Sequence, residues 1–177
     1  MIYATLFCMS RAQTIICEDP LQRGYEYTLT KAIGKNFDSE FKPQLTPKEL
    51  IELGVFGGAY FEKHIQEYPK TWFTNANLSK EKNKTLNFFK VNASQSREEW
   101  TRKGWIYSND PRGWFQWYFR YYLGRRIPEE DKRQICRWKN MTRHVSQVQK
   151  YCSKGDYSCR PTQRQALLHW AYDSRKM

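Results

Sequence analysis

Long apolar runs are missing from this chain. No stretch approaches the ~18 apolar residues a transmembrane helix needs, and the apolar start, Met1 to Met9, is too short for the core of a secretory signal peptide. Histidine is scarce, at three of 177 residues, and acids are in deficit, with 18 Asp+Glu against 30 Lys+Arg. The five cysteines (Cys8, Cys17, Cys136, Cys152 and Cys159) lack the close Cys-x-x-Cys spacing of a zinc knuckle or a redox motif. Without a leader or a paired cysteine pattern, the expectation is an intracellular protein, nuclear or cytoplasmic, whose thiols are free or metal-bound. A phosphate-cradling loop is also missing. Gly57-Gly58 has no Lys-Ser/Thr and no strand before it, and reads as a tight interhelical turn. No cofactor is implied.

What is present is charge and aromatic surface. The net charge of +12, with a pI near 9.5, favours polyanionic partners: nucleic acid first, then an anionic membrane surface, then an acidic protein or a phosphorylated small molecule. A solvated basic surface with no specific partner is the plain alternative. The charge is unevenly placed. Residues 1–96 carry net +2 with two arginines, whereas residues 97–177 carry net +10 with twelve. Arginine suits bidentate phosphate contacts and stacking on aromatic planes, so a binding surface is expected in the C-terminal half.

The densest aromatic stretch, Asp110-Pro-Arg-Gly-Trp-Phe-Gln-Trp-Tyr-Phe-Arg-Tyr-Tyr-Leu-Gly-Arg-Arg126, is punctuated as a helix over 111–123. Asp110 is placed to cap it, Pro111 to start it and Gly124 to end it. On a helical wheel Trp114, Trp117, Tyr118 and Tyr121 share a broad face and Gln116 and Arg120 a narrow polar strip. Rings at that spacing are core before they are base-stacking platforms. The fold class expected is therefore mainly α: a basic helical domain over 45–177 around this central helix, after an irregular arm, 1–44, that lays a few aromatics on the body.

Other helices follow from their signals. Thr46-Pro-Lys-Glu49 and Ser96 with Glu99 are capping boxes. A second helical run is expected over 59–68. The Ser-rich turn and helix ending near Gly104 read first as an ordinary packing helix; the alternative is the turn and second helix of a helix-turn-helix, with Gln95, Arg97 and Arg102 toward DNA. Pro128 opens a helix expected to run to about Tyr151, its apolar stripe being Ile135, Trp138, Met141, Val145 and Val148. Lys132, Lys139, Arg143 and Lys150 form its basic side, flanked by Arg133. Pro161 opens the last helix, ending near Asp173.

Two constellations carry possible chemistry. Cys136, His144, Cys152 and Cys159 are metal-ligand candidates with unsuitable spacing. His169 and Asp173, at i and i+4, with His144, Arg120 and Gln116, are candidates for an acid–base pocket suited to a phosphate or a nucleobase. The nucleic-acid or anion-binding candidates are Arg112, Gln116, Arg120, Arg125, Arg126, Lys132, Arg133, Lys139, Arg143, Lys150, Arg160 and Arg164. The leading expectation is a nucleic-acid-binding protein. The alternatives are an enzyme acting on a nucleotide or nucleic acid, and an interaction module for an acidic protein partner.

From Gly104 onward, Trp105-Ile, the Asp110–Arg126 stretch, Arg133-Gln-Ile-Cys-Arg-Trp138, Arg143-His144 and Cys159-Arg-Pro-Thr-Gln-Arg-Gln-Ala-Leu-Leu-His-Trp-Ala-Tyr-Asp173 resemble an uncharacterised family of small basic proteins. The resemblance implies one shared domain over about 46–177 and no activity, cofactor or ligand.

Overall fold

The computed structural model describes residues 13–61 and 65–177. Helix is the prevailing regular structure, with one antiparallel hairpin beside it. The elements in order are β1 (Gln13–Ile16), β2 (Glu26–Leu29), α1 (Pro47–Glu52), α2 (Arg97–Arg102), α3 (Trp114–Leu123), α4 (Pro128–Lys139), α5 (Thr142–Tyr151) and α6 (Pro161–His169), with short 3-10 turns between them. The apolar start, residues 1–12, lies outside the described residues.

α3 is the central element. Nine of its ten residues are buried, Gln116 and Arg120 among them. It begins at Trp114 rather than at Pro111, because the Asp110 carboxylate is drawn to Arg120 and Arg125 and cannot cap. Gly113 sits at the N-cap instead, and the Gln116 side chain reaches back to accept the Arg112 N–H at 3.0 Å. This contact ties the residue before the N-cap to the first turn of the helix. Around α3 the rings interlock edge to face. Phe41 alone lies within 5.5 Å of Trp117, Tyr121 and Trp138, an arrangement that favours the ring quadrupoles beyond the area buried.

Residues 13–44 are tightly tied to this core. β1 and β2 pair in register from Gln13–Leu29 to Ile16–Glu26, and the Gly124 carbonyl accepts the N–H groups of Thr30 and Lys31. Phe41 is 1 % exposed. The expected arm thus supplies a hairpin and a central core residue.

Thr46 and Glu49 form the expected reciprocal capping box on α1. At α2 only half of the second box forms: Ser96 accepts from the Glu99 N–H, while the Glu99 carboxylate turns to Arg102 and Lys103. No helix forms over the described part of 59–68. Residues 65–68 instead turn so that Glu67 reaches the Arg120 guanidinium. The helix-turn-helix alternative is not met, since the segment before α2 is a 3-10 turn at Lys84–Leu86 followed by irregular chain.

The long helix expected from Pro128 to Tyr151 is two helices. Its break at Asn140–Met141 has a local cause. The Trp138 carbonyl accepts the Tyr172 hydroxyl, and the Lys139 carbonyl accepts the Thr142 hydroxyl, so side chains compete for acceptors that a continuous ladder would use. The apolar stripe still faces the core on both pieces, with Ile135, Trp138 and Val148 buried and Met141 and Val145 packed against them. α6 ends at His169, four residues short of expectation, as the chain turns through a left-handed Ala171.

Gly57-Gly58 makes a tight turn as expected, but not between two helices, since no helix forms over the described part of 59–68. Both glycines have positive φ, and a Cβ on Gly58 would lie 2.5 Å from the Asn77 carbonyl oxygen. Among the described residues, no helix is long and apolar enough to cross a membrane.

Candidate nucleic-acid interface and aromatic cleft

The candidate residues divide into three groups: those committed to the interior, those paired at the surface, and those free for a partner.

The first group centres on Arg120, the polar residue of α3. It is fully buried, and its Nε and Nη2 donate to the two oxygens of Glu67, while Nη1 reaches Asp110 Oδ1 at 3.0 Å and Gln22 Oε1 at 3.0 Å. Arg125 pairs with the other Asp110 oxygen, and Arg112 grips Asp19 through Nε at 2.6 Å and Nη2 at 2.9 Å. Gln116 also donates to Asp19. Three arginines thus meet three acids. The Tyr27 hydroxyl donates to Glu67 at 2.8 Å and the Cys17 thiol donates at 3.2 Å. Burial works to raise the Glu67 pKa, but the hydrogen bonds and charge of Arg120, with those of Tyr27 and Cys17, hold it below the usual carboxylate range. Burial and the Glu67 charge push the Cys17 thiol up to about 11, so it is not a nucleophile at neutral pH.

Arg164 and Arg126 are likewise spent internally. The Arg164 guanidinium donates to the carbonyls of Cys159, Ser174 and Met177, and so organises the C-terminal segment. Arg126 donates to the carbonyls of Tyr121, Arg125, Lys35 and Asn36 and lies 3.7 Å from the Tyr121 ring centroid. Arg112, Gln116, Arg120, Arg125, Arg126 and Arg164, expected to meet an anion, thus hold the fold together instead.

In the second group, Arg133 pairs with Glu130 at 2.7 Å and Lys139 with Glu40 at 2.7 Å. The third group is Lys132, Arg143, Lys150 and Arg160, all exposed and without an ion pair among the described residues. Two of them flank Tyr151, which is 58 % exposed: Lys150 Nζ lies 5.2 Å and the Arg160 guanidinium carbon 4.8 Å from its ring centroid. The seam between α5 and α6 beside them is polar, with Gln163 bridging His144 and Gln147.

The acid–base constellation does not assemble. Asp173 binds Arg175 and Lys176, and His169 bonds to neither of them. His169 Nε2 accepts from the Phe56 N–H at 3.4 Å and from Gln165 Nε2 at 3.1 Å, and its ring stacks on Phe56 at 4.1 Å. Burial, with a smaller contribution from Lys82, brings its pKa down to about 3, so the imidazole is neutral at physiological pH. Gln116 and Arg120 face the ion cluster, and His144 faces Gln163. The metal candidates are also separated: Cys152 and Cys159 are joined in a disulfide, contrary to the expectation of free or metal-bound thiols. Among the described residues, no group of three or more His, Cys, Asp or Glu is placed to hold a metal ion.

A cleft of about 220 Å³ opens between α2, the start of α3, α4 and α6. Its walls include Trp100, Trp105, Trp114 and Trp170, with Phe56 and His169 also lining it. Arg137 stands at its edge, its guanidinium carbon 5.4 Å from the Trp105 ring centroid and 5.3 Å from that of Trp170. Its Nη1 donates to the Trp105 carbonyl and to Gln134 Oε1, and among the described residues it has no ion pair. Burial, reinforced by Arg133, brings its pKa down to about 10, as expected for a cation short of a counter-charge. Sequence reasoning missed Arg137 and this cleft. Trp100 and Trp105, the latter beyond the end of α2, were a partial signal, but nothing in the sequence brings them to Trp114, Trp170 and Arg137.

Comparison with known proteins finds no matching family model, no matching curated protein and no matching solved structure for this chain.

Proposed function

We propose that the protein binds nucleic acid through the exposed Lys/Arg surface of its C-terminal helices. The observation that carries this reading is Tyr151, an exposed ring with Lys150 and Arg160 beside it, neither of which has an acidic partner among the described residues. An aromatic face beside unpaired cations suits a base stacked next to its own phosphate. The charge balance supports it further. Arg112, Arg120 and Arg125 are matched by the buried acids Asp19, Glu67 and Asp110, so the excess behind the net +12 falls on the remaining, largely exposed cations. Lys132 on α4 and Arg143 on α5 are likewise exposed and without an ion pair among the described residues, and we assign all four to phosphate contacts.

The test is fluorescence anisotropy with labelled DNA and RNA strands across a salt series. The reading expects affinity to fall steeply with salt, and Lys150→Ala/Arg160→Ala to weaken binding to all sequences while flattening the salt slope by about one unit per lost contact. Wild-type affinity and slope in that variant would overturn it. Acidic polypeptide as a competitor separates this reading from that of an acidic protein partner, for which only displacement by the polypeptide is expected.

A further inference from the structure

We infer that the tryptophan cleft beside Arg137 is a seat for one unpaired nucleobase of a single strand, with Arg137 meeting the attached phosphate; the inference rests on the nucleic-acid reading above.

The cleft selects a ligand by three properties. Its walls are flat and aromatic, and every base has a π-face to offer them. Its polar groups are donors. Gln165 Oε1 accepts the Phe89 N–H, which turns the Gln165 amide nitrogen toward His169 Nε2. With Nε2 accepting and the ring neutral, the imidazole proton sits on Nδ1. Among the described residues that N–H has no hydrogen-bond partner, and His169 lines the cleft, so we take it as a donor for a ring nitrogen or a carbonyl of a base. Arg137 adds positive charge at the rim, while Lys103, 4.8 Å from the Trp105 ring centroid, is paired with Glu99. The nearby acceptors are already used: the Trp105 carbonyl by Arg137, Gln95 Oε1 by Lys103 and the Ser94 hydroxyl by Lys82. A ligand rich in donors, or a cation, is poorly matched to such a site.

The third property is size. Pockets for drug-sized ligands begin at about 300 Å³, and this cleft, at about 220 Å³, suits a smaller ring system. A base inside a duplex is paired at its edge and stacked on both faces, so only a base turned out of its stack could enter. The cleft therefore discriminates single strands from duplexes, which the exposed cations of α4 and α5 do not.

Trp105, 37 % exposed, can be replaced without opening the core. Trp105→Ala, Trp105→Phe and Arg137→Gln are compared with wild type for binding to a short single strand, to its duplex and to a matched strand of abasic sites, each variant first checked for an unchanged melting temperature. Trp105→Ala is expected to weaken single-strand binding roughly tenfold, the scale of one lost base–aromatic stack, and to leave duplex and abasic binding unchanged. Trp105→Phe should recover most of the loss. Adenosine monophosphate should compete for the cleft where inorganic phosphate does not. Equal binding of the base-bearing and abasic strands by wild type, or an unchanged single-strand affinity in Trp105→Ala, overturns the inference and leaves the nucleic-acid reading standing. Binding of adenosine monophosphate that needs Trp105, with no binding of any strand, keeps the seat but overturns both the strand as its source and the nucleic-acid reading.

Discussion

Arg120 of α3 and Glu67, which lie far apart in the chain, meet as a bidentate pair with both side chains buried, Arg120 at 0 % and Glu67 at 2 % exposure. The pair fastens the segment before Pro69 to the central helix. Asp110 then links Arg120 to Arg125, and the Tyr27 hydroxyl brings in the hairpin. Removing one member of such a network leaves an uncompensated buried charge, which costs about 3–5 kcal/mol.

Glu67→Gln is therefore expected to lose about that much stability, since Arg120 and Arg125 would then share Asp110 alone. Urea denaturation at neutral pH measures it. The double variant Arg120→Met/Glu67→Leu, which removes both charges, should be less destabilised than Glu67→Gln. A loss below about 1 kcal/mol for Glu67→Gln would place the pair among ordinary surface bridges.

The folded domain keeps His169 neutral, with its pKa brought to about 3, while in the unfolded chain it protonates near the ordinary histidine value of 6.5. The folded pKa is the lower one, so the unfolded state binds the extra proton, and stability falls as pH drops from 6.5 toward 3. The slope is about 1.4 kcal/mol per pH unit for one proton. Between pH 6.5 and 5 this amounts to about 2 kcal/mol. The lowered carboxylates Glu67 and Asp173 act at lower pH, below the usual carboxylate range. His169→Gln should flatten that part of the stability profile, with His144→Gln as the control for the other depressed histidine. An identical slope in wild type and His169→Gln would refute the assignment.

Much of the architecture was legible because it follows from local rules. Gly124 as the stop of α3, the Thr46–Glu49 box and the Ile135–Val148 stripe depend only on residues within a few turns of one another. The central aromatic helix was read as core for the same reason. What failed depends on partners distant in sequence. Asp110 is a good cap by local rules, but Arg125 and Arg120 claim its carboxylate. A helix over 59–68 satisfies local propensity, but Glu67 is needed at Arg120. At the candidate site, an arginine free for phosphate and one buried against a carboxylate look alike in sequence. Arg143 and Arg120 differ only in what the fold brings to them. Arg137 and its cleft were invisible because their walls come from four separate elements.

The disulfide of Cys152 and Cys159 closes a short loop ahead of α6, and the Cys159 carbonyl accepts from Arg164 Nε. A loop of this length contributes about 2–3 kcal/mol in the chain-entropy account. Cys152→Ser/Cys159→Ser is expected to lower the melting temperature, and reductant should lower wild type to the same value without affecting the variant. Insensitivity of wild type to reductant would show that the bond contributes no stability.

Gly124 is where the hairpin segment and the central helix come closest. Its φ is +120°, its carbonyl accepts the Thr30 and Lys31 N–H groups, and a Cβ there would stand 2.0 Å from the Lys31 carbonyl oxygen. Gly124→Ala must therefore both adopt a conformation that costs an L-residue about 1–3 kcal/mol and push the backbone after β2 away. The displaced backbone would pull on Tyr27, and through its hydroxyl on Glu67 and Arg120. The substitution should cost more than about 2 kcal/mol by urea denaturation, although it removes no side chain and no charge. Amide exchange is expected to rise at Thr30 and Lys31 first. If those amides keep wild-type protection while α3 loosens, the close approach at Gly124 is not what holds the hairpin segment to the helix.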